Sequence, residues 1–188
     1  MKTILKKSIF IISAAAILCL SACSKEAEVK LTADNTAETD APHDNSTYRN
    51  VLDNYYKAYE NCDAAYQMAT FAPAYKEYVI KQYGYGNEEN MERQLQTIID
   101  EACEQYSTAY GENFLVAYDV KNEKNLSGGE IAGLEEEMES LYGGGFVIGE
   151  AVEATISVVI SGESEQAGKS EDTLTFGKLS DGNWYLLK

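Results

Sequence analysis

The spacing of apolar residues changes along this chain, and the change limits the folds open to it. From Tyr48 to Tyr110 large apolar side chains recur every three or four residues, and from Phe114 they recur every second residue, apart from one further helical stripe between Ile131 and Leu141. A period near 3.6 marks one face of a helix and a period of two marks one face of a strand. Tyr48, Val51, Leu52, Tyr55, Tyr59, Cys62 and Tyr66 predict a first helix, capped by Ser46 or Thr47 and broken around Ala72-Pro73. Pro73 suits the first turn of a second helix, "PAYKEYVIKQY", closed by Gly84. A third begins near Asn87, carries the stripe Met91, Leu95, Ile98, Ile99, Ala102, Cys103, Tyr106 and Tyr110, and ends at Gly111.

Then "NFLVAYDV" alternates, with Phe114, Val116, Tyr118 and Val120 on one face. A capping box, Ser127 to Glu130, opens a fourth helix striped with Ile131, Leu134, Met138 and Leu141, and Gly143-Gly144-Gly145 stops it. Val152, Ala154, Ile156, Val158 and Ile160 alternate with mostly polar neighbours; a polar loop, "GESEQAGKSED", leads to "TLTFGKL", and Ser180-Asp181-Gly182-Asn183 turns into "WYLL". The order predicts an α+β fold: N-terminal helices packed on one face of an antiparallel sheet of about four strands, with no internal repeat.

The N-terminus reads as an address. Lys2, Lys6 and Lys7 precede an uncharged apolar run to Ala22, too short for a permanent membrane span. It ends in Leu20-Ser21-Ala22-Cys23, which resembles the lipobox of bacterial lipoproteins. The resemblance implies that Cys23 receives a diacylglyceryl group, that residues 1–22 are removed as a signal peptide, and that the protein sits in the cell envelope, lipid-anchored on the extracytoplasmic side. Two or three acyl chains, at about 0.8 kcal/mol per buried CH₂, anchor stably where one does not. Residues 23–46 follow as a polar tether poor in large apolar side chains, containing His43, and residues 47–188 form a single α+β domain.

Within that domain "YYKAYENCDAAYQMATFAPAYKEYV" and the terminal "KLSDGNWYLL" resemble the nuclear transport factor 2-like, or cystatin-like, domains of small lipoproteins of Gram-positive bacteria. The family implies a curved sheet wrapped around a helix to form a cone-shaped cavity. Tyr55, Tyr59, Tyr118 and Trp184 are then the residues expected to line it. Related folds host isomerases and dehydratases using a cavity Tyr and Asp, roles for which Tyr56 and Asp119 are further candidates. A tyrosine stripe at helical spacing also serves simply as core whose hydroxyls reach the surface.

Composition narrows the chemistry. Loss of residues 1–22 takes three lysines and no acid, moving the formal charge from −16 to −19, so nucleic acid is not an expected partner. His43 is the single histidine, which leaves residues 47–188 without the usual general base of a catalytic triad or a histidine zinc ligand. No metal, cofactor or enzymatic activity is expected. Cys62 and Cys103 are two thiols in an exported chain: either a disulfide closing a loop of about 40 residues and contributing roughly 3–4 kcal/mol, or two buried thiols acting as small hydrophobes. The functional expectation is a membrane-anchored, non-catalytic module binding a small ligand or an envelope protein; the alternatives are a cavity enzyme and an accessory subunit of an envelope complex.

Overall fold

Polar caps decide where the helices begin. In the computed structural model, which describes residues 44–164 and 167–188, α1 (Tyr48–Glu60) opens on Thr47, whose hydroxyl accepts the Asn50 N–H at 3.2 Å. α2 (Ala64–Thr70) opens on Asp63, and α3 (Pro73–Tyr83) has Pro73 in its first turn and Gly84 at its end with φ 71°. α4 (Glu88–Tyr110) opens on Asn87, with Glu88 and Glu89 facing the positive end of its dipole. Four strands follow, interrupted by one helix: β1 (Leu115–Asn125), α5 (Gly128–Tyr142), β2 (Ile148–Ser161), β3 (Gly168–Leu179) and β4 (Trp184–Leu186). The capping box of α5 is formed: Glu130 accepts the Ser127 N–H at 2.8 Å. Hydrogen bonds from Lys124 and Ser127 hold that carboxyl down to about 2.

The strands make one antiparallel sheet in chain order, β1-β2-β3-β4, so the described fold is α+β. Its inner face is a ladder of apolar pairs on β2 and β3, Val152 with Phe176 and Ala154 with Leu174, continuing as Ile156 with Asp172, Val158 with Ser170 and Ile160 with Gly168. Val116, Tyr118 and Val120 of β1 extend the same face. α1 lies on it, burying Val51, Leu52 and Ala58 completely, and α4 packs beside α1. α5 goes to the opposite face. Its Leu134 and Met138 meet Ala151, Leu179, Tyr185 and Leu187, which alternate with the inner residues, so the sheet is covered on both sides at this end.

Three local expectations need correction. The stripe running from Tyr48 to Tyr66 is cut at Asn61–Asp63: Asp63 accepts the Ala65 N–H at 2.9 Å as a cap, and Cys62 takes a left-handed φ of 52°. Half of the expected loop "GESEQAGKSED" is strand, because the long β2 offers backbone partners as far as Gly168. The folded chain also begins ahead of Thr47. Asn45 is buried, donating to Ala69 O at 2.6 Å while its carbonyl accepts the Trp184 N–H at 2.8 Å.

Cys62 and Cys103 are joined as a disulfide, with Cα atoms 6.1 Å apart and a sequence separation of 41. It fastens the α1–α2 corner to α4, where Gln96 adds a second clip: its amide donates to Cys62 O and accepts the Ala64 N–H, both at 2.9 Å. Thiol titration of the denatured, non-reduced protein should therefore find neither Cys62 nor Cys103 free. The double variant Cys62→Ser, Cys103→Ser should lose roughly 3–4 kcal/mol of unfolding free energy by urea titration, the scale for opening a loop of this length.

Candidate functional site

Between α1 and the inner face of the sheet the packing is aromatic. Tyr56 stacks on Tyr118 with centroids 4.7 Å apart, Tyr55 meets Tyr56 and Tyr59 edge-on at 5.1 and 5.8 Å, and Tyr59 meets Tyr106 of α4 at 6.4 Å. Helical spacing explains the convergence: residues 52, 55, 56 and 59 share one face of α1, and that face meets Tyr118 on β1. Burial pushes the hydroxyls of Tyr55, Tyr56, Tyr59 and Tyr118 well above the usual phenol value, and that of Tyr106 up to about 12, so all stay protonated at neutral pH.

Of the four expected cavity residues, Tyr55, Tyr59 and Tyr118 come together and Trp184 does not. Trp184 is buried toward the other end of α1, edge-on to Tyr48 at 6.0 Å. Tyr118 is already engaged, since its hydroxyl donates to the Asp53 carboxylate. Asp119 points away from the tyrosines and pairs with Lys121 at 2.6 Å on the exposed side of β1. Cys23 and His43 lie outside the described residues. Among the described residues no three His, Cys, Asp or Glu side chains gather to hold a metal ion, and no helix is long and apolar enough to cross a membrane.

Two residues missed in the sequence complete the site. Ser170 and Asp172 sit on the inner face of β3, in phase with Leu174 and Phe176, and Asp172 pairs across the sheet with the fully buried Ile156. Reading "GKSEDTLTF" at a period of two would have found them. The Asp172 carboxyl is half-buried, accepts no hydrogen bond among the described residues, and has its pKa raised by desolvation. It lies within electrostatic reach of Tyr55, Tyr56 and Tyr106. The Tyr56 hydroxyl and the Ser170 Oγ are buried with no hydrogen-bond partner. A cluster of unpaired polar atoms beside an unpaired acid is what a fold tolerates only at a cost. Tyr110 packs against this end of β3, close enough that a Cβ at Gly168 would collide with its hydroxyl.

A second, open groove of about 220 Å³ lies between the α2–α3 junction and β4, lined by residues including Asn45, Phe71, Lys76 and Tyr185. Lys76 there is tied to Glu88 at 2.9 Å and Tyr185 to Asp181 at 2.7 Å, so its polar groups are already paired.

No family model matches the chain, and neither a curated protein nor a solved structure does.

The buried acid sets a pH dependence with a definite sign. Asp172 keeps its proton to a higher pH when folded than when unfolded, where its pKa is about 3.9. Stability is free of its penalty below that value, falls as pH rises through the raised folded pKa, and is constant above it. Asp172→Asn should therefore raise the urea midpoint at pH 7, and the gain should vanish near pH 3. A gain independent of pH would contradict the placement of the carboxylate.

Proposed function

We propose that this chain is a bacterial lipoprotein, anchored through Cys23 to the extracytoplasmic side of the membrane, whose nuclear transport factor 2-like domain is a non-catalytic small-ligand-binding module. Leu20-Ser21-Ala22-Cys23, following a basic start and an apolar run of secretory length, carries the anchoring half. The Cys62–Cys103 disulfide supports it independently, because such bonds persist in oxidising, extracytoplasmic compartments.

The polar cluster around Asp172 carries the binding half. Unpaired Tyr56 and Ser170 oxygens on the same inner face as a half-buried acid are groups that a ligand would satisfy, and a few polar atoms in an aromatic setting are the usual make-up of a small-molecule site. They favour a small ligand over an accessory role through the open sheet surface.

One observation favours a second reading, a cavity enzyme of the isomerase or dehydratase type: an acid with a raised pKa among phenols is the equipment such chemistry uses. Against it, nothing among the described residues hydrogen-bonds the Asp172 carboxylate into a fixed orientation, as proton transfer at a defined atom requires.

Growth on labelled palmitate should label the wild-type protein and leave Cys23→Ser unlabelled and released from membranes, and the denaturing mass should show cleavage before Cys23 plus a diacylglyceryl adduct. An unlabelled wild type would end the anchoring proposal. Protein gently extracted from its own membranes should carry an extra small mass in the native spectrum; a bound protein in its place would favour the accessory-subunit role.

A further inference from the structure

Three polar groups along the α1–sheet interface accept no hydrogen bond among the described residues. Tyr56 is 4% exposed, yet its hydroxyl has no partner. Its ring stacks on Tyr118, which pairs with Val158, which pairs in turn with Ser170, whose Oγ is also buried and unpartnered. The next inward residue along β3 is Asp172, whose carboxylate accepts no hydrogen bond among the described residues. Tyr55 and Tyr106 lie within electrostatic reach of the same carboxylate. Tyr55, Ser170 and Asp172 are half-buried, so the cluster is partly open to solvent.

Resting on the small-ligand reading above, we propose that this cluster binds a small organic cation through a primary ammonium group, held by Asp172, Ser170 and the Tyr56 hydroxyl among the tyrosine rings. An ammonium brings three N–H donors and no acceptor, one donor for each of the three groups. Its charge offsets that of the carboxylate, which no lysine or arginine among the described residues pairs with. Aromatic faces attract a cation in the same place. Other ligand classes fit less well. An anion meets the carboxylate with like charge, a neutral ligand leaves that charge uncompensated, and a quaternary ammonium has no donors to give the oxygens. The net charge of −16 raises the concentration of cations around the whole chain, so the site draws on a supply the surface has already gathered.

The test uses the full chain in detergent at physiological ionic strength, with n-butylammonium as probe and ring-labelled tyrosine observed by NMR. Saturable shifts of the Tyr55, Tyr56 and Tyr106 resonances, with a raised Tm, are expected. Asp172→Asn should weaken binding by about tenfold or more, the scale for losing a charge-assisted hydrogen bond, and this variant is relieved of a half-buried charge, so it should fold. Tyr56→Phe should weaken binding several-fold without loss of the fold.

Equal binding by Asp172→Asn would overturn the inference, because it would trace the effect to general surface charge. So would potassium or tetramethylammonium shifting the same resonances as strongly as n-butylammonium. A neutral or anionic small mass retained in the native spectrum would keep the ligand-binding reading and overturn the cation. A native spectrum with a protein partner and no small mass, together with no n-butylammonium binding, would overturn both. Probe binding abolished by Asp172→Asn, with no neutral or anionic small mass in that spectrum, supports the inference.

Discussion

α1 lying on the inner face of the sheet is the contact to which the other described elements are fitted. Val51, Leu52 and Ala58 on the helix and Phe176, Ile156 and Ala154 on the strands are fully buried there. At about 1.5–3 kcal/mol for each large apolar side chain removed from water, this interface outweighs any single polar contact in the molecule. The disulfide and Gln96 then hold the α1–α2 corner against α4, and Asn45 ties the start of the chain to Ala69 and Trp184. These clips work at the margin of a contact that burial has already established.

That interface is built largely from tyrosine, which brings a hydroxyl wherever it brings a ring. A buried phenol must find a partner or carry the cost of having none. Tyr118 reaches Asp53 and Tyr185 reaches Asp181. Around α3 and α5 a second group, Tyr75, Tyr78 and Tyr142, packs edge-on at 5.0 and 5.2 Å and stays half-exposed, where water can serve the hydroxyls. Tyr56 has neither solution. The unmet Tyr56 hydroxyl and Ser170 Oγ lie on the same inner face as the desolvated Asp172, while the Tyr48 hydroxyl and the Gln67 Oε1 are buried without a partner elsewhere. Shape alone would have pointed to the groove beside β4, but its polar groups are already paired.

Most of the architecture was legible in the chain because it depends on local signals. The caps at Asn87 and Ser127, the stop at Gly84, the turn at Asp181-Gly182 and the change of period after Tyr110 each act within a few residues, and the structure follows them. The break at Asn61–Asp63 was hidden by a stripe that continues in phase across it: Tyr59, Cys62 and Tyr66 suit one helix as well as two. Asp172 was hidden by composition. A run of Gly, Lys, Ser, Glu and Asp has the polarity of a loop, and it is strand because β2 extends beside it.

The sequence by itself determined the order of helices and strands, the presence of one four-residue lipobox-like motif, and the absence of histidine from residues 47–188, since periodicity, motif and composition are written in the residues themselves. Tertiary structure decided which residues meet. Cys62 with Cys103, Gln96 with Cys62, and Tyr56 with Tyr118 are separated by tens of residues and brought together by packing α1 and α4 on the sheet. The placement of Asp172 belongs to the same class, because whether a carboxylate in a strand faces water or a row of tyrosines depends on the register with its neighbour, and register is set by the whole buried face.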